Sequence, residues 1–212
     1  MDAFSGEASQ TEAEMAVILI ASFGVFAVVA MLVIGLYNRL TTLRNRVKNA
    51  FAQIDVQLKR RYELIPNLVD VAKGYMAHER ETFEAVVKAR AAAVSANGRA
   101  ANDPTDGGAM RSLAGAEGAL GGALARLLVS VEAYPELKAD KTMASLSEEL
   151  KSTENRVAFA RQGFNDATTL YNTEREKFPA VAFAGVFGFN AGELFEIVDP
   201  TERSAPKTSF VS

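Results

Sequence analysis

The sequence has no cysteine and a single histidine among 212 residues. Without thiols there is no disulfide framework, no Cys-based metal site and no thiolate nucleophile, a composition that fits a reducing compartment. One imidazole cannot supply the three or four converging ligands of a protein metal site, nor the paired Glu-x-x-His motifs of a di-iron bundle. His78, beside Glu79, therefore reads as a solvent-exposed or capping residue rather than a proton shuttle. HExxH, a P-loop, GxSxG and a Gly-rich dinucleotide turn are also missing. The sequence thus gives no cofactor, no metal ligand set and no catalytic residue, and the expectation is a protein that is not an enzyme.

Charge is lacking altogether from Met15 to Leu36, MAVILIASFGVFAVVAMLVIGL, where Ser22 is the one polar side chain and no proline interrupts. As a helix this run reaches roughly 33 Å at about 1.5 Å per residue, enough to cross a bilayer. A cleaved signal peptide would need a basic start and a shorter apolar core, and a buried core helix would not be apolar on every face. The run is read as a permanent single-pass anchor over residues 15–37, with Tyr37 at headgroup level. Gly24, Ala27, Met31 and Gly35 share one helical face that could admit a close helix partner, a homo-oligomer included.

Basic residues are absent from the first 14 positions, which hold Asp2, Glu7, Glu12 and Glu14. Arg39, Arg44, Arg46, Lys48, Lys59, Arg60 and Arg61 follow the run, against one acid, Asp55. Clustered Lys and Arg stay on the cytoplasmic side. The expected topology is a bacterial inner-membrane protein with residues 1–14 outside as a short acidic tail and the large domain in the cytoplasm. The near-zero mean hydropathy averages this span with a nearly neutral soluble domain. The seven cations named above are candidate contacts for the anionic inner leaflet. With no stacking aromatics or nucleic-acid motif beside them, no nucleic-acid partner is expected.

Helical periodicity dominates residues 38–178. Leu40, Leu43, Val47, Ala50, Ile54 and Leu58 continue the span on one apolar stripe. Pro66, lacking an amide donor, predicts a kink or break between Leu64 and Asn67. Leu68, Val71, Tyr75, Thr82, Val86 and Ala93 mark a second stretch ending near Ser95, and SANGRAANDPTDGG, residues 95–108, reads as a flexible loop. Met110, Leu113, Leu120, Leu124, Leu127, Val131 and Tyr134 mark a third helix, in which Gly115, Gly118, Gly121 and Gly122 either permit close packing or lower stability. Met143, Leu146, Leu150, Thr153, Val157, Ala160, Phe164, Ala167, Tyr171 and Phe178 mark a fourth. Only Glu174 is out of character in that pattern. Its start falls between Asp140 and Ser145, with Ser145 and Glu148 at capping-box spacing, and Pro179 ends it.

The fold class expected is all-α, a transmembrane helix continuing into an antiparallel long-helix bundle of three to four helices with coiled-coil-like packing. Residues 179–212 form an apolar, aromatic C-terminal segment and tail. The segment either packs back onto the bundle, the preferred reading, or offers Phe183, Phe187, Phe189 and Phe195 to a protein partner.

The blocks YNRL, LRNRVKNAF, IDVQLKRRYELIPNLVDVAKGYMAHE, VEAYPELKAD, ELKSTENRVAFARQGFND and YNTEREKFP, in this order, resemble the LemA family from Tyr37 to Phe195. Phe51 stands where that family often has Trp, and residues 109–125 are the least distinctive part. The resemblance implies a bacterial membrane-anchored protein with a cytoplasmic helical bundle. Magnetosome-associated members keep membrane organisation among the implied roles. The polar residues within these blocks, Gln53, Asp55, Gln57, Asn67, Asp70, Glu132, Asn155, Arg161, Asn165 and Asn172, are expected to satisfy one another between helices and fix their register. The functional expectation is a scaffold or regulator at the inner membrane, acting through lipid and through a membrane or cytoplasmic protein of unknown identity. The alternative is an enzyme or enzyme subunit with a carboxylate site in the bundle.

Overall fold

The computed structural model describes residues 3–196. Every regular element among them is helical: α1 (Ala3–Lys73), α2 (Arg80–Asn102), α3 (Gly107–Glu132), the short α4 (Pro135–Lys138), α5 (Lys141–Glu176) and the short α6 (Ala180–Ala184). The part of the expected C-terminal tail beyond residue 196 lies outside the described residues.

α1 is a single helix of 71 residues, roughly 107 Å at about 1.5 Å per residue. Its uncharged part is bare: Leu19, Phe23, Phe26 and Met31 are each about 70% exposed. From Leu40 onward the same helix turns an apolar stripe inward, and Leu40, Val47, Phe51, Ile54 and Leu58 are buried. The bare apolar half and the core half are thus two parts of one rod.

The helix does not break at Pro66. Proline withholds the amide that should bond the carbonyl four residues back, that of Tyr62. The guanidinium Nε of Arg90, on α2, donates to that carbonyl instead at 2.7 Å. The vacancy is filled by a charge-assisted bond from a neighbouring helix, and α1 runs on to Lys73. The chain then reverses through residues 74–79, where the fully buried Met76 plugs the end of the core.

The expected loop at 95–108 is mostly helix. α2 extends to Asn102 because Ala93, Ala96, Asn97 and Ala100 present a buried stripe of small side chains at helical spacing. Only residues 103–106 connect to α3. There Asp103 accepts from the Thr105 amide and hydroxyl, and Asp106 caps α3 by accepting from the amides of Gly108 and Ala109. α5 starts within the expected stretch from Asp140 to Ser145: Asp140 is the cap and accepts from the Met143 amide at 2.9 Å, while Ser145 and Glu148 lie inside the helix rather than forming a capping box.

α5, 36 residues long, lies antiparallel along α1. Arg39 meets Glu174, Phe51 meets Phe164 edge to face at 5.9 Å, and Arg60 meets Glu149. α2 packs along α3 and, through Asp55–Asn97 at 2.6 Å, against α1. The result is an antiparallel four-helix bundle on one continuous core. Close packing does not explain the α3 glycines at 115 and 122, since a Cβ at either would meet nothing within 4 Å. Gly122→Ala is therefore expected to raise stability by about 1 kcal/mol, the interior helix cost of glycine. An unchanged or lower melting temperature would show that the flexibility or the missing methyl is needed there.

Candidate functional site

The bundle end nearest the uncharged run carries the first group of cations. Arg39 Nε bonds Glu174 Oε2 at 2.8 Å, and Lys177 Nζ bonds Glu174 Oε1 at 2.6 Å. These contacts, that of Lys177 first, hold the Glu174 carboxyl below its usual range. They also explain an acid on the apolar stripe of α5. Arg44 and Lys48 face Asp103. Burial would raise that carboxyl, but the Thr105 bonds and the two cationic charges hold it below the ordinary value. Arg46 points into solvent.

The second group departs from the surface reading. Along the unbroken helix, Lys59 stands roughly 35 Å beyond Leu36 at about 1.5 Å per residue, several times the ~8 Å over which exposed charges act at physiological salt. Lys59 pairs with Asp55 and Arg60 with Glu149. Arg61 is no surface residue at all. Only 5% exposed, it donates to Glu117 Oε2 at 2.9 Å and to Glu154 Oε1 at 3.1 Å. Three consecutive residues on a helix point to three sides, and one of these sides is the core.

Glu117 is itself 1% exposed and also accepts from the Tyr62 hydroxyl. Burial pushes the Glu117 carboxyl up, opposed by the Tyr62 and Arg61 bonds. Burial and the Glu117 charge push the Tyr62 phenol up. This ionic node joins α1, α3 and α5. Sequence reading passed over Glu117, yet it has a signal: an acid midway between Leu113 and Leu120 on an apolar stripe must find a partner inside.

The C-terminal segment is clasped to α5 by side chains bonding its backbone. Arg175 Nε donates to the Phe189 carbonyl at 2.9 Å and the Tyr171 hydroxyl to the Asn190 carbonyl at 2.7 Å. Asn172 bonds both the amide and the carbonyl of Gly192, at 2.8 and 2.9 Å. Asn165 does the same for Phe195, at 2.8 and 3.4 Å. Asn165 and Asn172 thus hold this strap rather than another helix. A Cβ on residue 192 would stand 2.9 Å from Thr168 Cγ2, so the strap lies too close for a side chain there. Of the four aromatics offered to a partner, Phe189 and Phe195 are buried in this contact, Phe183 is half-buried and Phe187 is 41% exposed.

A shallow groove runs along the outer side of α1 and α5, lined by Gln53, Gln57, Asn155, Arg156, Phe159 and Gly163. Phe159 is 81% exposed in it. No acid lines this groove. Among the described residues no group of three or more His, Cys, Asp or Glu could hold a metal ion, and His78 is exposed.

The LemA family model matches residues 50–210. The chain is also similar to Magnetosome protein MamQ 2 and Magnetosome protein MamQ 1 of Paramagnetospirillum magneticum, 29% identical to each over 93% of this chain and 76% of theirs. It is 29% identical to Magnetosome protein MamQ of Magnetospirillum gryphiswaldense, over 83% of this chain and 68% of that one. The chain belongs to the LemA family, and that membership together with its magnetosome-protein relatives supports a membrane-associated helical protein, whose N-terminal helix is long and apolar enough to cross a membrane.

Proposed function

We propose that this LemA-family protein is a non-enzymatic single-pass protein of the bacterial inner membrane. Its N-terminus lies outside, and its cytoplasmic bundle is a scaffold or regulator for membrane-associated processes. The observation that carries the reading is the continuity of α1, whose exposed apolar half and buried core half are one helix. A bundle built on its own anchor is held at a fixed height and tilt, which suits a platform for other molecules. Arg39 stands about 4.5 Å past Leu36 at 1.5 Å per residue, within the ~8 Å reach of exposed charges, where a cation near an anionic leaflet contributes about 1 kcal/mol; Arg44, Arg46 and Lys48 lie about 12 to 18 Å past it. The relatives named as magnetosome proteins accord with membrane organisation. For a carboxylate-based enzyme the interior would have to offer free acids, but Glu117, the one acid buried among the described residues, is engaged by Arg61 and Tyr62.

Photo-crosslinking in cells from position 159, read by mass spectrometry, tests the scaffold. Reproducible adducts with one or a few membrane or cytoplasmic proteins are expected. Adducts to this chain alone would contradict a platform for other proteins.

A further inference from the structure

Exposed apolar residues outside the uncharged run occur singly at Val56, Val87, Val129 and Phe159, but four others fall together. Phe178 is 87% exposed, Val186 82%, Val181 54% and Phe187 41%, and all four lie in the short stretch between the end of α5 and the strap. Their height relative to the membrane can be fixed from contacts. α5 runs toward the span, and Glu174 is level with Arg39, which stands about 4.5 Å past Leu36 at 1.5 Å per residue. α5 ends at Glu176, two residues or about 3 Å further toward the uncharged run than Glu174, and Phe178 follows just outside that end, near the level of Leu36. Tyr37, the first residue after the uncharged run, packs its ring edge to face on Phe187 and on Phe189, with centroids 5.5 and 5.4 Å away. Leu36 itself packs against the bundle core. The top of the domain therefore reaches the plane where the apolar run ends.

We propose that residues 178–187 form a second membrane contact, a wedge of Phe178, Val181, Val186 and Phe187 resting in the boundary between headgroups and acyl chains beside the span. The occupant of this surface is lipid. Continuity with the span argues for it, because an apolar patch held at that height meets the bilayer before it meets a soluble protein. The flanking Arg39, Arg175 and Lys177 match a headgroup layer, and aromatic side chains are at home in that layer. The strap explains how the wedge is held, with Phe189 and Phe195 as buried anchors and four α5 side chains gripping its backbone. Gly188, at φ +71°, makes the turn between exposed Phe187 and buried Phe189. A protein with one span would otherwise swivel about it; a second contact off the axis fixes which way the bundle faces.

The inference rests on the anchor reading, and one experiment separates the two. The natural chain has no cysteine, so single variants of the full-length protein can each carry one environment-sensitive fluorophore: Val186→Cys, Phe178→Cys, Phe159→Cys and, within the span, Val29→Cys. All four are reconstituted in phosphatidylglycerol/phosphatidylcholine vesicles, and quenching by lipids with spin labels on the upper acyl chain is measured. Quenching several-fold stronger at 186 and 178 than at 159, which is equally bare but far from the boundary, is the expected result. Strong quenching at 29 with 186 and 178 no different from 159 overturns the wedge and leaves the anchor standing. Water-like behaviour at 29 as well overturns both.

Discussion

Glu117→Ala is expected to cost about 3–5 kcal/mol, the loss that follows when one partner of a buried ion pair is removed. Arg61 would keep its charge, since a guanidinium does not deprotonate in a protein, and at 5% exposure it has little access to water. Glu154, itself exposed, would be left as its acidic partner. Arg61→Gln should cost less, because the orphaned Glu117 can take up a proton and burial already pushes its pKa up. A carboxyl with a folded pKa above the unfolded value of about 4.3 favours the folded state below that value and loses this contribution as pH rises through the folded pKa. The Arg61→Gln chain should therefore weaken with rising pH more steeply than the parent. Denaturant unfolding of the detergent-solubilised chain at several pH values checks both statements. Equal losses for the two variants, flat with pH, would contradict the node. Changing Lys59, Arg60 and Arg61 together to Gln should likewise destabilise the bundle, almost entirely through Arg61, since exposed pairs contribute little.

Phe164→Ala should remove about 3–5 kcal/mol by emptying a fully buried position against Phe51. Phe159→Ala, on the same helix at 81% exposure, should change stability by no more than about 0.5 kcal/mol. The contrast separates the inner from the outer side of α5 within five residues of sequence. Similar melting temperatures for the two variants would mean that the seam of α1 and α5 is not the core.

The parts of the fold legible in the sequence are those whose signal is large and local. A run without charge marks the bare half of α1, and large apolar residues at steps of three and four mark α5 and the inward stripe of α1. The family resemblance, from Tyr37 to Phe195, agrees with both. What escaped depends on partners distant in sequence. Pro66 looks like a break until Arg90 supplies a donor to Tyr62. Residues 95–102 look like a loop because their buried stripe is alanine and asparagine, too small or too polar to stand out as periodic. Arg61 sits among cations that do face solvent, and only the acid on α3 marks it as internal. The strap is held by bonds from Asn165, Tyr171, Asn172 and Arg175 to backbone groups, a pairing that side-chain pattern does not record. The same reason hid which aromatics are anchors: Phe187 and Phe189 differ by two residues and a glycine turn, yet one is exposed and the other buried.

The orientation of the chain is the claim on which the scaffold, the lipid contacts and the wedge all depend. Single cysteines at Ser9, in the acidic tail, and at Lys138, in α4 at the far end of the bundle, can be probed in intact cells with a maleimide that does not cross the inner membrane. Labelling of Ser9→Cys is expected in intact cells, and of Lys138→Cys only after the inner membrane is opened. Labelling of Lys138→Cys in intact cells, with Ser9→Cys protected, would contradict this orientation.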